Sequence, residues 1–304
     1  MSSTWSDPYS SRRGTRAEIR DRLDPVVYSA PHRDAALSPE ERSFYEDNGY
    51  LFFPNFFSSN EVARLQKAMK NLREDPALRD EEFTITERGS GDIRSIFKVH
   101  ELSDTYYHLC RDPRLADIAE YLLDDQVYIH QSRVNYKPGF RGREFYWHSD
   151  FETWHVEDGM PRMQALSMSV ILSDNFEYNG PLMLIPGSHK YYVSCAGKTP
   201  ENHYKQSLQR QEFGIPNDEQ LTELVRRGGI SMPKGPSGSL LLFDCNMMHG
   251  SNSNITPFPR SNAFFVFNSI KNRVVEPFSG MKPRPEFLGA RKNIVPIEPE
   301  TMAA

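Results

Sequence analysis

The sequence contains no apolar run of about 18 residues, the minimum for a membrane-spanning helix, so nothing in it reads as a transmembrane segment. Cysteine is scarce. Cys110, Cys195 and Cys245 lie far apart without a CxxC pair, which fits reduced structural thiols rather than a disulfide framework. No dense Lys/Arg block occurs, and 36 Lys plus Arg against 41 Asp plus Glu leave a net charge of −5, so a nucleic-acid partner is not expected. Met1 to Arg16 is polar Ser/Arg sequence lacking the apolar stretch of a signal peptide, and the expected location is cytoplasmic. What is present is ordinary for a globular protein. The 304 residues are 38% hydrophobic, 12% aromatic and 25% charged, enough to fold around a sizeable core.

Residues 1–37 carry Ser, Arg, Asp and Pro with few spaced apolar positions and read as a loosely ordered lead-in. Ser38 before Pro39-Glu40-Glu41 signals a helix start, and Asn48-Gly49 its end. Tyr50 to Phe53 reads as a short buried strand. Ser58-Ser59-Asn60-Glu61 has capping-box spacing, and Val62, Leu65, Met69 and Leu72 then form one helical stripe. Pro113 to Leu123 repeats that pattern. After residue 124 the period becomes alternating and turn residues cut the chain into short runs, the signature of antiparallel β structure. The expected strands are Val127 to Tyr136, Ala165 to Leu172, Gly180 to Ile185, Ser239 to Phe243 and Asn262 to Asn268, with a partly helical insertion from Thr199 to Arg227. No internal repeat or second composition regime appears. A single domain over 38–288 is therefore expected, with helices on one face of a β sandwich and a C-terminal tail, 289–304, on the surface.

His148-Ser149-Asp150 places an imidazole and a carboxylate two residues apart, on the same side of an extended backbone. One ion can reach both. His249, directly after the apolar run Leu240 to Phe243, is the best candidate for a third ligand. Two histidines and one carboxylate are the components of the facial triad of non-haem Fe(II) oxygenases, which leaves three metal positions open. A His-x-Asp by itself is a weak signal, common without metal. Arg260 strengthens it, opening a strand whose even positions Arg260, Asn262 and Phe264 share a face; a guanidinium there suits the far carboxylate of 2-oxoglutarate, although alone it reads as well as a loop-anchoring arginine. Ser251 shares the parity of His249 and is placed to add a hydroxyl. Gln131, Arg133 and Asn135 form a polar face opposite Tyr128, Val134 and Tyr136, which reads either as a pocket wall or as a solvent face. Trp154 is either a platform for a cationic or planar ligand or packed core. His130, His155 and His189 are not required as ligands.

Phe145-Tyr146-Trp147-His148-Ser149-Asp150-Phe151-Glu152-Thr153-Trp154-His155, followed by Glu157-Asp158-Gly159-Met160-Pro161, resembles the signature segment of the ectoine hydroxylases, within the phytanoyl-CoA dioxygenase superfamily. Asn179 to His189, His130 to Phe140, Leu242 to Asn246, His249 to Asn252 and Arg260 to Val266 match further motifs, so the resemblance spans roughly residues 40–288. It implies a mainly β fold with flanking helices around a double-stranded β-helix (jelly-roll, cupin-like) core, often as a homodimer. It also implies 2-oxoglutarate- and O2-dependent hydroxylation of the compatible solute ectoine to 5-hydroxyectoine, with succinate and CO2 released. Carried over, Fe(II) falls on His148, Asp150 and His249, and 2-oxoglutarate on Arg260, Ser251 and Asn135 with Phe97 and Phe145 beside it. Substrate falls on Gln131, Arg133, Thr153, Trp154, Phe243, Asn262 and Phe264. Related halogenases need a small residue in place of the carboxylate, and Asp150 is present. The same chemistry on another small polar metabolite, or a non-catalytic 2-oxoglutarate- and iron-binding protein, are the alternatives.

Overall fold

The computed structural model describes residues 7–14, 17–32, 35–87, 90–208 and 212–300. The strands are β1 (Glu18–Asp21), β2 (Tyr50–Phe53), β3 (Thr84–Thr86), β4 (Ile93–Phe97), β5 (Val127–Lys137), β6 (Phe145–His148), β7 (Ala165–Ile171), β8 (Leu182–Leu184), β9 (Tyr191–Ser194), β10 (Leu240–Asp244), β11 (His249–Ser251) and β12 (Arg260–Ser269). The helices are α1 (Pro39–Asn48), α2 (Ser59–Glu74), α3 (Val99–Leu102), α4 (Asp104–Leu109), α5 (Pro113–Leu123), α6 (Asp150–Thr153), α7 (Tyr204–Ser207) and α8 (Asp218–Gly228). Seven strands form one sheet in the order β2-β10-β7-β12-β5-β4-β3, three form a second in the order β6-β11-β8, and β1 pairs with β9.

Local chemistry starts the helices where the sequence indicates. Ser38 and Ser58 each accept the N3 amide while Glu41 and Glu61 return to the cap backbone, and Gly49, at φ 80°, ends α1 in the left-handed region. The apolar stripes of α2 and α5 then cover one face of the large sheet, meeting Met168, Val170, Leu240, Leu242, Ala263, Phe265 and Phe267 in a single buried cluster. Alternation sends the neighbouring side chains the other way. Leu241, Phe243, Phe264 and Val266 join Phe151 and Leu184 in a second cluster between the two sheets.

β5 departs from strict alternation. Val266 pairs with Gln131 but Phe267 pairs with Ile129, so His130 is an extra residue in the ladder. That bulge reverses which parity faces the helices: Val127 and Ile129 lie in the helix-side cluster, as does Val134 beyond the bulge. Tyr128 therefore does not share the face of Val134, as plain alternation predicts, and instead accepts a hydrogen bond from Asn268 Nδ2 at 2.8 Å. Gln131, Arg133 and Asn135 are thereby aimed between the sheets.

The lead-in expected to be loosely ordered is packed where it is described; residues 1–6, 15–16 and 33–34 lie outside the described residues. β1 forms a ladder with β9, and Tyr9 is buried with its hydroxyl donating to Asp24 at 2.6 Å. Few apolar residues serve here because polar side chains bond into the core instead. The C-terminal tail runs beside β5, its Ala290 and Ile297 amides donating to the carbonyls of His130 and Val127 at 2.9 and 2.7 Å. Its residues 301–304, and 209–211 of the Thr199 to Arg227 insertion, lie outside the described residues. The insertion carries α7 and most of α8, as expected.

Candidate active site

The metal-ligating set is assembled by a strand pairing. His148 ends β6 and His249 opens β11, and the two are direct partners in the antiparallel ladder, with ring centroids 4.2 Å apart. Ser149 keeps an extended backbone (φ −105°, ψ 130°), so Asp150 turns toward the same space before α6 begins. The Ser149 hydroxyl donates to Asn246 Oδ1 at 3.0 Å, which ties this segment to the turn before β11. Both imidazoles are oriented by their own backbone. Nδ1–H of His148 donates to the Tyr146 carbonyl at 2.8 Å, and Nδ1–H of His249 to the Met247 carbonyl at 2.9 Å. That places the Nε2 lone pairs inward.

Asp150 Oδ1 lies 3.6 Å from His148 Nε2 and Oδ2 lies 3.8 Å from His249 Nε2, and the three ligand atoms fall within 4.8 Å of one another. Asp150 Oδ2 is buried without a hydrogen-bond donor. Burial by itself would raise the Asp150 carboxyl, but the attraction of His249, the contact with His148 and the charge of Arg133 outweigh it and hold the group ionised. Burial, helped by His148, pushes His249 down to about 4, which keeps its lone pair available. A buried carboxylate oxygen lacking a donor, beside two preset imidazole lone pairs, fits a divalent transition metal.

The cavity around this cluster is lined by every one of the site residues named from the sequence, the flanking Phe97, Phe145 and Thr153 included. At one end Arg260 is half-buried, its Nε enclosed and unpartnered, and desolvation next to Arg94 lowers it to about 10. Ser251 Oγ accepts from Lys137 Nζ at 2.9 Å, which leaves the hydroxyl proton free to donate, and Asn135 Oδ1 accepts from Ser95 Oγ at 2.8 Å. At the other end Arg133 donates to Gln131 Oε1, which holds the fork, and its guanidinium lies 4.1 Å from the Phe264 ring centre. Asn262 donates to Ser169 Oγ at 2.5 Å and its Oδ1, buried, has no partner. Trp154 and Phe243 complete the apolar wall.

Four further charged residues line the cavity without having been singled out from the sequence: Lys137, Arg94, Glu87 and Arg284. Arg94 pairs with Glu87 at 2.9 Å on the β3–β4 edge, and Arg284 reaches in from the segment after β12 to bond Asp158. Lys137 was the findable one, since it continues the odd-numbered face of β5. His155, His130 and His189 stand elsewhere: His155 Nε2 is 2.8 Å from Asp7, His130 is 3.8 Å from Asp158, and His189 donates to the Glu46 carbonyl.

A jelly-roll core holding two histidines and one aspartate within a cavity lined by arginine defines a non-haem Fe(II) oxygenase. The chain belongs to the phytanoyl-CoA dioxygenase (PhyH) family, whose model matches residues 45–262. It is 57% identical over 285 residues to the ectoine dioxygenase of Sphingopyxis alaskensis, covering 94% of this chain and 93% of that one. The ectoine dioxygenase of Stutzerimonas stutzeri is 51% identical over 293 residues, 96% of this chain and 97% of its own. The crystal structure of EctD from S. alaskensis with 2-oxoglutarate and 5-hydroxyectoine superposes with a TM-score of 0.89 at 52% identity, covering 97% of this chain and 98% of that chain. The form of the same enzyme with bound Fe gives 0.88 over the same shares. The carbocyclase SnoK, 18% identical with a TM-score of 0.59 over 79% of this chain and 88% of its own, shares the fold.

Proposed function

We propose that this protein hydroxylates ectoine to 5-hydroxyectoine, with 2-oxoglutarate and O2 as cosubstrates and succinate and CO2 as products. The observation that carries the reading is the triad of His148, Asp150 and His249 within one cavity whose two ends each hold a half-buried arginine, Arg260 and Arg133. The likeness to EctD across nearly the whole chain supports the particular substrate. Iron held by the triad would supply O2 activation coupled to the oxidative decarboxylation of 2-oxoglutarate.

The protein's own residues do the binding and orienting. Arg260, with the free hydroxyl proton of Ser251, receives the far carboxylate of 2-oxoglutarate, and Asn135 flanks it; Phe97 and Phe145 close the sides. Arg133, fixed by Gln131, receives the carboxylate of ectoine. Trp154, Phe243 and Phe264 present apolar faces to its ring, and the unpartnered Asn262 Oδ1 accepts from its amidinium N–H. Thr153 sits beside Trp154 on α6. Held at both ends, the ring presents one C–H bond to the metal and water is excluded around it. A homodimer in the cytoplasm follows the same resemblance; among the described residues no helix is long and apolar enough to cross a membrane.

The test is anaerobic loading with Fe(II) and 2-oxoglutarate, admission of O2, and measurement of succinate with and without ectoine. Succinate release that rises with ectoine, alongside 5-hydroxyectoine, is the expected result. Release at the same rate without ectoine would remove the substrate assignment.

A further inference from the structure

The wall that carries Thr153 and Trp154 is held from outside the cavity by the N-terminal segment. Arg12 lies far from these residues in sequence, yet its guanidinium is 2% exposed and reaches the helical run 150–158. Nε donates to Glu152 Oε1 at 3.0 Å and Nη2 to Glu152 Oε2 at 2.5 Å; Nη1 donates to Glu157 and, at 2.7 Å, to Thr199 Oγ1. Nη2 also reaches Thr153 Oγ1 at 3.0 Å, so Arg12 touches a residue that lines the cavity. Ser11 adds a hydroxyl bond to Glu152 at 2.5 Å, and Asp7 pairs with His155 at 2.8 Å.

Three features show that this contact is built for a purpose beyond filling space. Arg12 adopts φ 54°, a left-handed conformation unfavourable for a residue with a Cβ, and the surrounding bonds must over-determine it. Gly214 lies so close that a Cβ on it would sit 2.0 Å from Arg12 Nη2, so the insertion is shaped around the guanidinium. The run it grips passes from α6 into a π-helical turn, Trp154–Asp158, which holds Glu157, a wide and easily altered geometry that concentrates at functional sites. Glu152 and Glu157 are 1% and 9% exposed, and although Arg284 stands 3.8 Å from Glu157, loss of Arg12 leaves Glu152 a buried carboxylate without its cation and loosens that turn.

We propose that Arg12 is a positioning residue: it clamps Glu152 and Glu157 so that the turn between them presents Thr153 and Trp154 to the substrate. This rests on the ectoine reading above. It sets the substrate wall and leaves the iron ligands and the 2-oxoglutarate end to their own bonds, because Asp150 precedes the gripped residues and both histidines are oriented by backbone carbonyls.

The test uses the full-length enzyme, anaerobic, with Fe(II) and 2-oxoglutarate bound, and reads two quantities. The first is the charge-transfer absorption of the Fe(II)–2-oxoglutarate complex, with its dissociation constant for 2-oxoglutarate. The second is the perturbation of that band on titrating ectoine. Arg12→Met removes the clamp; Arg12→Lys keeps the charge but cannot fork to both carboxylates, and serves if the first variant does not fold. The expected result is an unchanged band and 2-oxoglutarate affinity, with ectoine affinity and KM for ectoine weakened about ten- to a hundredfold, the range that a wall misplaced by about 1 Å produces. Wild-type ectoine affinity in Arg12→Lys, or a loss of 2-oxoglutarate affinity in parallel with that of ectoine, overturns the proposal while leaving the substrate reading intact. A wild-type enzyme whose band ignores ectoine overturns the substrate reading and this inference with it.

Discussion

Asp150 illustrates how a single side chain declares its partner. Its carboxylate is buried, one oxygen has no hydrogen-bond donor, and the nearby charge of Arg133 favours its ionised form. Asp150→Ala should lose bound iron by well over the roughly hundredfold that outer-shell changes cost, and turnover with it. Metal content after gel filtration checks the first and succinate release the second; full iron occupancy would contradict the triad. Arg133 belongs to the other end of the cavity. Arg133→Ala removes a charge-assisted bond of about 1.5–3 kcal/mol, so ectoine binding should weaken about ten- to a hundredfold with iron loading unchanged. Calorimetric titration with ectoine, set beside iron content, separates these. At this scale His148, Asp150, Arg260 and Arg133 could be singled out because each sits in a definite local pattern, a His-x-Asp or one face of a strand. Arg94 could not, since a lone buried cation has no local signature, and Lys137 could be found only by extending the odd-numbered face of β5.

At the scale of elements, capping and alternation did most of the work. α1 starts at the Ser38 cap, α2 at Ser58 ahead of an apolar stripe, and α5 carries a second stripe; each is found where those signals place it. Ser58→Ala should cost about 1 kcal/mol by removing the acceptor for the N3 amide. Activity should stay unchanged, because α2 covers the sheet face opposite the cavity; a lowered melting temperature with unaltered kinetics is the expected pair of measurements. β3 and β4 escaped notice because Thr84–Thr86 is only three residues long and Ile93–Phe97 mixes polar with apolar residues on both faces. The bulge at His130 also left no trace in the sequence. An inserted residue is defined by the partner strand, and β12 lies far downstream.

The whole molecule responds to pH and to ligand through groups buried on folding. His189 is fully buried and burial pushes it from 6.5 down to about 4, against the pull of Asp244. Between those values the unfolded chain takes up a proton that the native protein refuses. Stability therefore rises with pH from about 4 to about 6.5, and the contribution is fully present only above that window. Melting temperature should fall on acidification through this range, and His189→Gln should flatten that slope. Fe(II) with 2-oxoglutarate binds the native state alone, so at about 100 times the dissociation constant it should add about 2.7 kcal/mol, and chelation should reverse the gain in melting temperature.

What the sequence determined by itself was local: the His-Ser-Asp spacing, the helix caps, the alternation of β10 and β12, and a signature long enough to mark the family. Those signals act within a few residues, where backbone geometry dictates which side chains share a face. Tertiary structure alone decided which distant residues meet. The β6–β11 register sets His249 against His148, the bulge turns Gln131, Arg133 and Asn135 into the cavity, and Arg12 crosses from the N-terminal segment to grip Glu152 and Glu157. Each depends on long-range pairing and on the cost of leaving buried charge unmatched, and both are properties of the closed fold.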